Sequence, residues 1–242
     1  MEELKKYFDK GFLKDDERGF RIFKEFVEIK EQMLCNDIKN TIVMFGSARI
    51  KPDDSNEKAR KYYWAARDLA YRLASWVKEN CPLEDKYFIA TGGGVGIMEA
   101  ANRGAAEAGE PTIGLNIRLP FEQAENPYIP SELVFMFHYF FIRKFYFAYP
   151  AKAFVIFPGG FGTLDELFEI LTLAQTHKMH KTMPFVIFGK EFFSKILNMD
   201  MLLEHGLISQ SDRDLFILTD DIDEAFDHIT SNIKPARCIL DR

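Results

Sequence analysis

The 242-residue sequence predicts a doubly wound α/β fold, a mainly parallel sheet with helices on both faces. Two regularities carry that prediction. Short apolar runs recur along the chain, continuous rather than alternating, as suits strands covered on both faces. Most are closed by Gly or Pro and followed by a longer stretch of helical period, the β-α order that builds a parallel sheet.

From Arg18 to about Asn36, Phe20, Phe23, Phe26, Val27, Met33 and Leu34 recur at helical spacing and predict an amphipathic leading helix. The first strand is TIVMFG at 41–46, followed by a helix over 56–79; YFIATG at 87–92 precedes a helix over 95–108. PTIGLNI at 111–117 leads into a segment broken by Pro120, Pro127 and Pro130, beyond which LVFMF at 133–137 is a candidate extra strand. A helix over 139–149, the strand AKAFVIFPG at 151–159 and a helix over 163–178 come next. PFVIFG at 184–189, a helix over 191–204, LFILT at 215–219 and a helix over 221–232 complete the series. With no repeat and no Gly/Ser-rich linker, we expect a helical extension over 1–40 and one domain over 41–242.

Composition narrows the function. Apolar residues make up 47% and charged residues 28%, which excludes a disordered or collagen-like chain. The net charge of -6 and the lack of a long Lys/Arg block argue against nucleic acid as a partner. The longest apolar run, Leu133 to Ile142, is about half of the roughly 20 residues a spanning helix needs, so no membrane partner is expected. Cys35, Cys81 and Cys238 are scattered without zinc or disulfide spacing, and MEELKKYFDK has no signal-like apolar core; a cytoplasmic setting is expected. Aromatics reach 14%, an excess for which a homo-oligomer interface is the natural outlet.

Two strand ends carry glycines into helices. In TGGGVGIMEAAN at 91–102, Gly93 and Gly94 let backbone N–H groups approach an anion at a helix amino terminus. The spacing departs from G-x-G-x-x-G because Ile97 and Glu99 stand where a last Gly is required, and no Gly-Lys-Ser/Thr follows, so neither a dinucleotide fingerprint nor a P-loop is present. FPGGFGTLDELFEI at 157–170 repeats the arrangement with Gly159, Gly160 and Gly162, and places Thr163 at an expected N-cap. Two such ends in one domain favour a phosphate-bearing ligand over turn chemistry alone. Glu166 admits two readings on spacing: the acid of a Thr163-x-x-Glu166 capping box, or a carboxylate beside a sugar carbon.

FHYFFIRKFYFAY at 137–149 surrounds Arg143 and Lys144 with aromatic residues, leaving little of the helix for water and calling for anionic partners. Lys144 is the better candidate to reach solvent along its alkyl stem, while the planar fork of Arg143 suits a phosphate or carboxylate. Ser47 in FGSAR ends the first strand, as a ligand contact or a turn residue. His138, His177 and His180 lack metal or triad spacing, and no G-x-S-x-G elbow occurs. No lysine stands in a convincing setting for a pyridoxal phosphate Schiff base, and we expect neither cofactor nor metal.

PGGFGTLDE at 158–166, TGGGVGIMEAAN upstream and the Arg-Lys pair between them closely resemble the LONELY GUY (LOG) family, over about residues 41 to 205. Its members, long labelled lysine decarboxylase-like, act as cytokinin riboside 5'-monophosphate phosphoribohydrolases. The resemblance implies a Rossmann-like sheet, a homodimer or higher homo-oligomer, and hydrolysis of a purine nucleoside 5'-monophosphate to free base and ribose 5-phosphate. It implies Arg143 and Glu166 as catalytic residues, with Lys144 completing the pair and Gly159, Gly160, Gly162 and Thr163 holding the phosphate. The extension of about forty residues, the FHYFF segment and Glu99 in place of a Gly set this chain apart from plant-type members and are typical of a longer bacterial form. AMP is then as credible a substrate as a cytokinin precursor, with Glu99 and Glu122 as candidate ribose contacts. The competing reading is a non-catalytic nucleotide-binding or phosphorylated-cofactor carrier, against which the Arg143 and Glu166 pair argues.

Overall fold

The computed structural model describes residues 18–119, 126–179 and 183–233; residues 1–17, Pro120, Glu122, His180 and Cys238 lie outside these. Among the described residues seven strands form one parallel sheet: β1 (Asn40–Phe45), β2 (Tyr87–Thr91), β3 (Thr112–Ile117), β4 (Val134–Phe137), β5 (Ala151–Ile156), β6 (Phe185–Phe188) and β7 (Ile217–Thr219). Their order is β4-β3-β2-β1-β5-β6-β7. The chain thus lays strands outward from β1 to one edge, returns to pair β5 with β1, and builds toward the other edge. That reversal is a topological switch point, and the β1 end there is flanked by the loops leaving β2 and β5, both rich in glycine. The candidate strand at 133–137 is real: Gly114, Leu115, Asn116 and Ile117 pair with Val134, Phe135, Met136 and Phe137.

Both faces of the sheet are covered, which is why its strands read as continuous apolar runs. On one face Val43, Phe45 and Phe154 pack with α1 (Arg18–Cys35), α4 (Phe140–Ala148) and α5 (Phe161–Gln175). On the other, Ile42, Met44 and Val155 pack with α2 (Glu57–Asn80), α3 (Ile97–Glu107) and α9 (Ile222–Asn232). Asn56 starts α2 by accepting the N–H groups of Lys58 and Ala59. Gly104 lets α3 lie against α2: a Cβ there would meet the Tyr71 nitrogen at 2.8 Å and Ala70 Cβ at 3.0 Å.

Three local expectations are corrected. The helix expected over 191–204 is two, α6 (Lys190–Ile196) and α7 (Met199–Glu204), because the Asn198 side chain accepts the Met201 N–H and starts a second helix. A short α8 (Gln210–Arg213), held by a capping box of Ser209 and Asp212, has no counterpart in the sequence reading. The α4 helix is also less enclosed than its aromatic content implied. Ile142, Tyr146 and Phe147 are buried, whereas Phe140, Phe141 and Phe145 are exposed, since a single apolar face can pack on the sheet and α1.

Candidate active site at the switch point

The end of β1 ties the two glycine loops together. The Ser47 N–H donates to the Pro158 carbonyl at 3.0 Å, and the Ile97 N–H donates to the Ser47 carbonyl at 3.0 Å. The Ser47 hydroxyl accepts the Arg49 N–H at 3.0 Å, the turn role of the two open to it. Closeness here demands glycine: Gly96 has φ +74°, and a Cβ on it would reach the Ala48 carbonyl carbon at 2.8 Å. Gly93 has φ +70° and lies against Asn116, whose side chain a Cβ at that position would overlap.

Beneath this first loop lies a buried polar network absent from the sequence reading. The Thr91 hydroxyl donates to Asn102 Oδ1 at 2.6 Å while accepting the Gly93 N–H at 3.0 Å. Asn102 Nδ2 donates to Thr112 Oγ1 at 2.7 Å, and the Thr112 hydroxyl donates on to the Ile89 carbonyl at 2.7 Å. Asn126 Nδ2 joins Asn102 Oδ1 at 3.0 Å to the Gly94 carbonyl at 3.1 Å. The carboxamide of Asn102, fully buried, thereby locks the loop onto β2 and β3. The available signal was one amide in the otherwise apolar inner face of IMEAANRGAAE. Glu99, one turn earlier on α3, accepts the Tyr63 hydroxyl at 2.8 Å, and the pKa of Tyr63 is pushed up to about 12 by burial and by that carboxylate.

At the second loop the helix starts earlier than expected. Gly160, not Thr163, is the N-cap of α5, because its carbonyl already accepts the Leu164 N–H at 3.0 Å. Thr163 therefore sits in the first turn and Glu166 in the second, too far along for Glu166 to reach back to the cap amide, so no capping box forms. The amides of Phe161, Gly162 and Thr163 are the first-turn donors of a 15-residue helix, which have no acceptor within the helix and no side-chain cap, with the positive end of its dipole behind them. Gly159 is pressed against the Thr163 side chain, whereas a Cβ on Gly160 or Gly162 would meet nothing within 4 Å.

Arg143 reaches inward from α4. Its Nε donates to the Leu115 carbonyl at 2.6 Å and an Nη2 to the Gly92 carbonyl at 3.4 Å, with the guanidinium 5.0 Å from the Phe147 ring centroid. These contacts aim it at the ends of β3 and β2. Burial lowers its pKa to about 10, with Glu166 working against the fall. Glu166 is only 7% exposed, and its Oε2 is buried without a hydrogen-bond partner among the described residues. Burial raises its pKa to about 7, against the opposing pull of Arg143 and Lys144. Lys144 spans α4 and α5, with ion pairs to Asp165 at 2.8 Å and Glu169 at 2.9 Å. Partial burial works against its charge, but the two carboxylates outweigh that and raise its pKa.

The structure thus gathers Ser47, Gly93, Gly94, Glu99, Arg143, Lys144, Gly159, Gly160, Gly162, Thr163 and Glu166 on the strand-end loops and the helices leaving or flanking them; Glu122 lies outside the described residues. Among the described residues no group of three or more His, Cys, Asp or Glu side chains is placed to hold a metal ion, and no helix is long and apolar enough to cross a membrane. The chemistry the arrangement can perform is anion capture at a helix end beside a carboxyl group that titrates near neutrality.

A family model described as "Possible lysine decarboxylase" matches residues 98–229, more than half of the chain. The chain belongs to this family, the LOG family. Among curated LOG proteins it is 28% identical over 194 residues to the Arabidopsis thaliana cytokinin riboside 5'-monophosphate phosphoribohydrolase LOG3, covering 79% of this chain and 82% of that protein. It is 29% identical to the Arabidopsis thaliana enzyme LOG4, covering 72% of this chain and 76% of that one. Among solved structures, the X-ray structure of TM1055 aligns with TM-score 0.53 at 20% identity, over 79% of this chain and 99% of that one. The molybdenum cofactor binding protein of Rippkaea orientalis aligns with TM-score 0.50 at 20% identity, over 81% of this chain and 98% of that one. At that identity the two structures establish the shared LOG fold.

Proposed function

We propose that this LOG-family chain hydrolyses the N-glycosidic bond of a purine nucleoside 5'-monophosphate, AMP or a cytokinin riboside monophosphate, to free base and ribose 5-phosphate. The observation that carries the reading is the Glu166 oxygen, buried and without a hydrogen-bond partner among the described residues, one turn inside a helix that opens from a glycine-rich loop. Its curated relatives are named for this reaction on cytokinin nucleotides, which supports the same class of substrate here.

The 5'-phosphate binds the amides of Phe161, Gly162 and Thr163, the Thr163 hydroxyl and the open edges of Gly160 and Gly162, with Gly159 packed against Thr163. Gly94 lies on the sugar side, Gly93 shapes that loop through its N–H bond to Thr91, and Glu99 faces the ribose hydroxyls, with Glu122 a further candidate. As the C1'–N bond breaks, the base leaves with the bonding electron pair and positive charge spreads over C1' and the ring oxygen. The Glu166 carboxylate faces that charge and takes a proton from the attacking water, whose oxygen bonds to C1'; the base acquires a proton in exchange. Arg143 holds the phosphate or assists the leaving base, and Lys144 holds α5 through Asp165 and Glu169. The low dielectric that raises the Glu166 pKa also strengthens its ionised form toward a cation.

We also assign a second copy of the chain to the exposed outer face of α4 and α5. Phe140, Phe141, Phe145 and Phe168 are between 38% and 56% exposed and Phe161 is 95% exposed, on two helices joined by Lys144. So much aromatic surface is characteristic of an interface core.

The deciding experiment is incubation with AMP and with a cytokinin riboside monophosphate, followed by chromatography for free base. Release that disappears in Glu166→Gln supports the hydrolase. Tight nucleotide binding with no release from either substrate favours the carrier.

A further inference from the structure

We propose that Glu25, on the leading helix α1, is a positioning residue for Arg143, so that α1 serves the reaction through this side chain. This rests on the hydrolase reading above for its kinetic consequence, though not for its geometry.

The α4 helix begins without a side-chain cap of its own: Tyr139 occupies the N-cap, with no cap bond from its ring hydroxyl. The missing acceptor comes from more than a hundred residues upstream. One Glu25 oxygen accepts the His138 N–H at 3.0 Å and the other accepts the Tyr139 N–H at 3.2 Å. A carboxylate at this end also faces the positive pole of the helix. Tyr139 is in turn the residue whose carbonyl accepts the Arg143 N–H, at 3.2 Å. Glu25 therefore holds the N–H of the same residue whose carbonyl, in the next peptide unit, accepts the Arg143 N–H.

On the far side of Arg143 the same helix is gripped again. The Tyr146 hydroxyl donates to the Phe26 carbonyl at 2.5 Å, and the Phe26 ring lies 5.1 Å from that of Phe145 and 5.5 Å from that of Tyr146. Ile29 and Met33 bury α1 in the core, so the grip has a fixed base. Arg143 has to project from α4 to the Leu115 and Gly92 carbonyls, and a small rotation of a nine-residue helix swings a side chain of that length well away from them. Two contacts bracketing Arg143, from residues adjacent in α1, remove that rotation. Within α1, Glu25 is the polar member of the pair, and its effect is separable from apolar packing.

The test compares Glu25→Ala, Glu25→Gln and Leu73→Ala by AMP turnover, thermal midpoint and the hydrogen-exchange rate of the Arg143 Nε–H by NMR. The expected result for Glu25→Ala is a kcat about tenfold lower with KM within about twofold of the parent, and faster exchange at Nε as its bond to Leu115 loosens. Glu25→Gln, which keeps one acceptor oxygen, should fall between the parent and Glu25→Ala. Leu73→Ala, a truncation in α2 buried on the opposite face of the sheet, should lower the thermal midpoint while leaving kcat and Nε exchange unchanged. The proposal is overturned if Glu25→Ala leaves Nε exchange as in the parent, or if Leu73→Ala lowers kcat as much. If the parent releases no base from any nucleotide, the hydrolase reading fails, and the exchange measurement alone still decides the positioning role.

Discussion

Arg143 and Glu166 sense each other's charge without forming an ion pair. The guanidinium is committed to the Leu115 and Gly92 carbonyls, and the carboxyl keeps a buried oxygen with no donor. A pair locked together would be a structural bridge; held apart, the carboxyl is not tied to the guanidinium. Leaving a buried acceptor unpaired costs on the order of 1–3 kcal/mol.

Replacing Glu166 with Gln keeps the shape and removes the charge. Turnover of AMP should drop by about 10²–10⁴-fold, the usual range for losing such a group, while the nucleotide dissociation constant measured by calorimetry changes little. Parent-like turnover would remove Glu166 from the mechanism.

The pH dependence has a definite sign. Burial lifts the Glu166 pKa from 4.5 to about 7, so between those values the folded chain retains a proton that the unfolded chain has lost. Wild-type stability should therefore fall as pH rises through this window and level off above 7. Glu166→Gln escapes the penalty: it should be more stable than the parent by about 1–3 kcal/mol at pH 8 and no more stable at pH 4, as read from urea unfolding at the two pH values. Since the ionised form is the reactive one, kcat/KM should climb toward a plateau above pH 7.

Lys144 supports that ionisation from α4. Lys144→Met removes a positive charge that lowers the Glu166 pKa and frees Asp165 and Glu169, which raise it. The midpoint of the pH–rate profile should move upward, with about a threefold or greater loss of rate at pH 7. An unmoved midpoint would separate Lys144 from Glu166.

The glycines fall into two groups that substitution distinguishes. Gly93→Ala forces a side chain onto a φ of +70° and into Asn116, and should cost several kcal/mol, on the order of 2–4, in thermal or chemical unfolding. Gly160→Ala and Gly162→Ala meet open space. They should unfold like the parent and reveal themselves through a raised KM for the phosphorylated substrate.

Removing the Asn102 carboxamide leaves the Thr91 hydroxyl, the Thr112 hydroxyl and the Asn126 amide short of partners in a dry interior. Asn102→Ala should lower stability by about 2–4 kcal/mol and loosen the first glycine loop, seen as faster amide exchange at Gly93 than in the parent.

The strand series and the two glycine-rich strand ends could be read directly, because a doubly covered parallel sheet leaves its imprint as unbroken apolar runs closed by turn residues. PGGFGT marked a helix start for the same reason: the turn residues that open a helix need no particular partner elsewhere in the chain. What local pattern could not convey was how distant segments meet. Thr163 and Glu166 matched a capping box in spacing, yet the helix began at Phe161 because the Gly160 carbonyl was free to accept its first bond. The aromatic stripe of α4 suggested full burial, and folding left one side of it outside. Glu25, Asn102 and Asn126 gave no local cue of the contacts they make, since hydrogen bonds across a hundred residues or between loops depend on strand order. That β5 returns beside β1, and so brings both glycine-rich loops together, is a property of the assembled sheet: pairing energy is settled among strands only once all of them compete for the same edges.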